Sequence, residues 1–142
     1  MSRTGSCLCG AVSYTLSETP KNSGACHCSM CRKWSGGAFV AFMAAPETVT
    51  LRGEENLNVF ASSEWAERAS CSKCGSSLFY RVTAPGPEQG VYHFGLGTLD
   101  EADGIPLTQE IFIDEKPDGY CFAGETQKMT GAEVFAMFAP QE

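Results

Sequence analysis

The sequence predicts a mainly β fold of short antiparallel strands, followed by a short C-terminal helix. Three observations carry this. Residues 11–16 (Ala-Val-Ser-Tyr-Thr-Leu) alternate with period two, as a half-buried strand does. The remaining apolar runs are short, and turn residues such as Pro46, Gly53, Pro85-Gly86-Pro87, Pro106 and Pro117-Asp118-Gly119 punctuate them. Near the end, Thr130-Gly131-Ala132-Glu133 has the form of a capping box.

After residues 11–16, the continuous apolar run 39–43 reads as a fully buried strand. Further strands are expected at 49–51, 57–60, 78–82, 91–96 and 110–113, and a short turn of helix at 29–34. Many short strands at this spacing point to a small sandwich or barrel-like arrangement. The capping box opens a helix carrying Val134, Phe135, Met137 and Phe138, with Pro140 as its stop. Its Phe and Met side chains, like Trp34, are expected in the core.

Residues 1–142 read as a single domain, large enough for a core of its own. A composition 43% hydrophobic and 19% charged is that of a globular protein rather than a disordered one. The net charge of -7 weighs against nucleic acid, which selects basic faces. Residues 1–6 have no apolar stretch of signal-peptide type, and no run reaches the roughly 20 apolar residues of a spanning helix. The chain is therefore read as cytoplasmic, with no membrane partner, its thiols kept reduced.

Seven of the eight cysteines fall into three clusters: Cys7-x-Cys9, Cys26-His27-Cys28-x-x-Cys31 and Cys71-x-x-Cys74. A disulfide framework is disfavoured by the compartment, by the remainder a cluster of three leaves, and by the tight spacing of Cys7 and Cys9. Seven divides naturally as four plus three. Cys71-Ser72-Lys73-Cys74-Gly75 reads as a zinc knuckle, with both sulfurs turned to one metal and the glycine supplying a positive φ. Cys7-Leu8-Cys9-Gly10 repeats the trailing glycine with a tighter spacer. Together Cys7, Cys9, Cys71 and Cys74 would close a structural zinc and pin the N-terminus to a distant turn. Closing so long a loop is where a metal clip gains most in principle.

Cys26, Cys28 and Cys31 offer three thiolates and leave a fourth position open, the arrangement of a catalytic rather than a structural zinc. Three thiolates make zinc a poor activator of water, whereas a coordinating thiol is deprotonated outright. The expected substrate is itself a thiol. Arg32 and Lys33 could receive the carboxylates of an anionic thiol, or could be ordinary solvated charges. The competing reading closes this site from within, through Cys121 with His93 behind it, or less readily through His27. The protein would then be a non-catalytic module with two structural zincs. Thiol redox sensing is a third class, and it predicts zinc release on mild oxidation.

Together these clusters resemble the glutathione-dependent formaldehyde-activating enzyme family. The matching residues are Cys7-Leu8-Cys9-Gly10, Cys26-His27-Cys28-Ser29-Met30-Cys31-Arg32-Lys33 and Cys71-Ser72-Lys73-Cys74-Gly75. Gly97-Thr98-Leu99-Asp100 and Ile111 to Pro117 resemble later family segments. The resemblance implies an Mss4-like zinc-stapled β fold with two Zn2+ per chain. It also implies glutathione and formaldehyde as substrates, joined as S-hydroxymethylglutathione by a carbon–sulfur lyase acting in either direction. Three features depart from the family pattern: Glu110 stands where a histidine is frequent, Gly119-Tyr120 where a tryptophan is usual, and the capping-box helix from Thr130 has no counterpart in it. No general acid stands out among His27, Tyr80 and His93.

Overall fold

The computed structural model of the chain describes residues 2–138. It is mostly β, as the sequence predicts, with eleven strands in two sheets and two α-helices. β1 (Arg3–Ser6), β2 (Ser13–Leu16) and β5 (Val49–Arg52) form a small antiparallel sheet in the order β1-β2-β5. The large sheet comprises β3 (Ser23–Cys26), β4 (Phe39–Ala44), β6 (Leu57–Phe60), β7 (Ala66–Cys71), β8 (Ser77–Val82), β9 (Tyr92–Gly95), β10 (Leu107–Ile111) and β11 (Gln127–Met129). Its order is β11-β10-β3-β4-β9-β8-β7-β6.

The pairing is not wholly antiparallel, as the sequence reading had it. β10 runs parallel to both β3 and β11. Parallel neighbours need long crossovers, and here most of the chain lies between β3 and β10. The strand expected at 110–113 therefore ends at Ile111, where Phe112 takes a left-handed conformation (φ 56°) that breaks the extended run.

The main core lies where the small sheet packs on the large one. Alternation in β2 buries Tyr14 and Leu16, and Tyr14 stacks on Phe94 of β9 at 4.0 Å between ring centroids. Phe42, Phe79 and Tyr92 gather round the same fully buried Phe94. β1 escapes sequence reading because Gly5 carries no side chain to signal a strand. A Cβ there would meet the Tyr14 ring at 2.4 Å, so the glycine makes room for the core.

The opposite face of the large sheet carries a smaller cluster of Cys28, Cys31 and Phe39, packed against Cys26, Trp34, Ala41, Tyr80 and Phe112. Direct cross-strand partners on this face run Phe60–Arg68–Tyr80–His93–Met43 from β6 to β4. α1 (Ser29–Ser35) sits beside this row, one residue longer than expected.

α2 (Gly131–Phe138) begins with the predicted capping box. Thr130 N–H donates to Glu133 Oε1 at 3.0 Å, and Glu133 N–H donates to Thr130 Oγ1 at 3.2 Å. The expectation that its Phe and Met residues are core is corrected. Val134 is buried, whereas Phe135, Met137 and Phe138 are exposed. The helix docks through Val134, an edge contact of Phe135 on Phe112 at 5.7 Å, and Gly131 N–H on Asp114. Pro140, read as the stop of this helix, lies outside the described residues.

Candidate metal centres

The first cluster forms where two turns meet. Gly10 and Gly75 adopt φ of 82° and 80°, the left-handed conformation expected of the glycines that trail each cysteine pair. These turns aim Cys7, Cys9, Cys71 and Cys74 at one another, with all four sulfurs within 4.8 Å. Cys7 and Cys9 Sγ are 3.7 Å apart, and Cys9 and Cys71 Sγ are 3.8 Å apart. Sulfurs at about 2.3 Å from a tetrahedral zinc stand about 3.8 Å from each other, so the spacing fits that metal. Backbone N–H groups of Val12 and Lys73 point at Cys7 and Cys71 Sγ (3.3 and 3.4 Å), as suits thiolates. Ser76, by its hydroxyl and backbone, holds the Cys74 thiol below the usual range. Cys7 and Cys71 are buried and belong to the main core.

The second cluster is local. β3 delivers Cys26 at its last residue, Cys28 caps α1, and Cys31 lies on the first turn of that helix. Cys28 Sγ accepts from Cys31 N–H at 3.3 Å, which places a thiolate where a helix N-terminus favours negative charge. Hydrogen bonds from Cys26 and then Cys31 pull the Cys28 thiol far below the ordinary range. The three sulfurs lie within 4.8 Å of one another. A three-thiolate donor set of this kind suits zinc.

Among the described residues, no fourth histidine, cysteine or carboxylate joins this set. Cys121 is exposed and stays outside it. His93, half-buried on the sheet face, stays outside too, and burial pushes its imidazole down to about 4. His27 turns away from the sulfurs into the protein. Its Nε2 pairs with Glu110 Oε1 at 2.8 Å, and both side chains are essentially inaccessible. Although burial opposes it, hydrogen bonds from Thr126 and His27 hold the Glu110 carboxyl below its usual range. Glu110, noted in the sequence only as a departure from pattern, thus fixes the loop that bears the three cysteines.

All eight cysteines are free thiols, in line with the reading against disulfides. The predicted cation pair is divided. Arg32 is half-buried and spends its Nε on the His27 carbonyl at 3.1 Å, while Lys33 is exposed. Both line a cleft of about 220 Å3 with Gly36, Gly37, Pro117 and Tyr120. Lys116 donates to the Tyr120 carbonyl and lies 4.8 Å over its ring.

Sequence reasoning missed Arg68. It is buried on β7, and its two terminal nitrogens both lie 3.6 Å from Cys31 Sγ. In sequence it is one charge among the ordinary surface charges, and nothing in the run Ala66–Cys71 marks it as buried.

A β framework joined by a four-sulfur cluster, with a second cluster of three sulfurs on one sheet face, defines a protein that could hold two metal ions of the zinc type. Comparison with known proteins sharpens the class. The chain belongs to the glutathione-dependent formaldehyde-activating enzyme family, whose profile matches residues 2–115. It is 34% identical over 131 residues to an uncharacterized lyase of Schizosaccharomyces pombe, covering 92% of each chain. It is also 29% identical over 137 residues to a Halomonas elongata protein provisionally named a glutathione-dependent formaldehyde-activating enzyme, covering 84% of this chain and 86% of that one. Among the described residues, no helix is long and apolar enough to cross a membrane.

Proposed function

We propose that this protein is a zinc-dependent carbon–sulfur lyase acting on glutathione and formaldehyde. Cys7, Cys9, Cys71 and Cys74 would hold a structural zinc, and Cys26, Cys28 and Cys31 a second, catalytic one. The observation that carries the reading is the second set of three sulfurs with no fourth protein ligand, in a chain of this family. Bound there, zinc would supply an electrophilic centre that keeps a thiol ionised at neutral pH.

The chain's own residues would do the rest. Lys33 and Arg32, at the cleft beside α1, would draw the glutathione carboxylates, offsetting the repulsion of a protein with net charge -7. In the forward direction the glutathione sulfur bonds to the carbonyl carbon of formaldehyde, and the carbonyl oxygen takes a proton. The product is S-hydroxymethylglutathione. In reverse the hydroxyl loses its proton and the carbon–sulfur bond breaks, releasing formaldehyde and the thiolate.

Of the three proton-donor candidates, Tyr80 is favoured. It packs against the cluster of Cys28, Cys31 and Phe39, while His27 is engaged by Glu110 and His93 is neutral at pH 7. Burial raises the Tyr80 phenol, which keeps it protonated and able to give a proton to an alkoxide.

Native mass spectrometry with and without glutathione tests the reading. Two zincs and a mass increment of one glutathione, with formaldehyde-dependent turnover, are expected. Two zincs that ignore glutathione would overturn it in favour of a module with two structural metals.

A further inference from the structure

Arg68 has an unusual set of neighbours for a buried cation. A guanidinium removed from water requires a compensating anion or a full set of acceptors. Among the described residues, no carboxylate pairs with it. Nε donates to Ser62 Oγ at 3.2 Å, and the fork of Nη1 and Nη2 closes on Cys31 Sγ at 3.6 Å each. The rings of Trp34 and Tyr80 lie 5.2 Å from its Cζ, and a cation over an aromatic face gains further stabilisation when desolvated. The planar fork suits a two-pronged contact that a lysine ammonium could not reproduce.

The charge balance says why such a group is placed there. Zinc with three thiolates carries about -1, and a fourth thiolate takes it to about -2 in a site walled by aromatic rings. We propose that Arg68 is the counter-cation of the Cys26–Cys28–Cys31 centre. On this view it is a positioning residue whose fork on Cys31 makes an anionic sulfur, rather than a neutral ligand, acceptable at the fourth position. The inference rests on the reading that zinc binds these three sulfurs, and it extends that reading from which ligand binds to why the site selects it. Arg68 is a counter-charge that β7 brings to the cysteines in addition to the helix N-terminus. The two act on different sulfurs, Cys31 and Cys28.

The test uses full-length protein with cobalt in place of zinc, so that the visible bands of the second site report ligand exchange. Wild type, Arg68→Met, Arg68→Gln and Arg68→Lys are titrated with 2-mercaptoethanol and separately with imidazole at one pH and low salt. The neutral variants are expected to bind the thiolate about tenfold more weakly while binding imidazole within about twofold of wild type. Arg68→Lys should recover part of the loss. Equal weakening of both ligands would mark Arg68 as merely structural, and unchanged thiolate binding would overturn the proposal outright. Should one neutral variant fail to fold, the other carries the comparison. Two cobalts with thiolate uptake but no formaldehyde chemistry would sink the proposed function and leave Arg68 its role. One cobalt per chain would sink both.

Discussion

The two cysteine clusters use the same ligand atom in opposite settings. The four-sulfur cluster joins distant stretches of chain, with Cys9 and Cys71 separated by 62 residues. Its supports are backbone N–H groups and the apolar main core. The three-sulfur cluster spans six residues and leans on buried charge: Arg68 on Cys31, and the His27–Glu110 pair behind the loop. A closed set has constant charge and needs no answering group, so it can sit half in the core through Cys7 and Cys71 and half at the surface through Cys9. An open set changes charge as its fourth ligand comes and goes, and it needs fixed polar groups that answer the change.

The sharpest way to break this contrast is to remove one sulfur from each cluster. Cys71→Ser should cost several kcal/mol and lower Tm by about 10 °C or more, because structural zinc is part of the folding free energy. Cys28→Ser should shift Tm by only a few degrees and abolish thiol uptake at the second site. Thermal melts and zinc stoichiometry on both variants check this, and equal destabilisation would erase the division of labour.

Next in size is the buried pair behind the loop. Glu110→Leu leaves His27 in the interior without its partner, at a cost of about 2–3 kcal/mol. Chelator competition should show faster zinc loss from the second site with the first unaffected. The His27–Glu110 pair would be irrelevant to the centre if both sites lost metal together.

A smaller effect sharpens the same point for His93. Burial lowers its folded pKa to about 4 from an ordinary 6.5, so the unfolded chain takes up the proton first as pH falls. Stability present above pH 6.5 is therefore lost progressively down to about pH 4. Between pH 7.5 and 5.5 the wild type should lose about 1 kcal/mol more than His93→Phe in urea melts. Equal slopes would mean that His93 is solvated. The smallest effect expected is at the cleft. Lys33→Ala should raise the KM for glutathione about two- to fivefold and leave stability within about 0.5 kcal/mol.

The two groups of cysteines that come together were legible because close cysteine spacing is a local signal, and the strands with regular alternation were legible for the same reason. What stayed hidden is instructive. β3 reads Ser-Gly-Ala-Cys, with no bulky side chain to show a period, yet it lies between β10 and β4. β7 hides because both of its faces are covered: Ala69 enters the main core while Arg68, beside it, turns to the cysteines. A charge on a strand resembles solvent exposure until its partner, brought from 37 residues away, is known. The capping box of α2 was readable, but the burial of its aromatic residues depended on tertiary packing, which among the described residues leaves Phe135 and Phe138 exposed.

β7 and the turn that follows it have a consequence for the order of assembly during synthesis, which proceeds from the N-terminus. Cys26, Cys28 and Cys31 can gather once residue 31 has emerged, whereas Cys7 and Cys9 must wait for Cys71 and Cys74. The stretch that brings those two cysteines also brings Arg68. A nascent chain therefore holds an unbalanced trio of thiols for some time. A single later strand and the turn after it then deliver both the missing half of the four-sulfur cluster and the positive charge, so that the two clusters reach their final settings almost together.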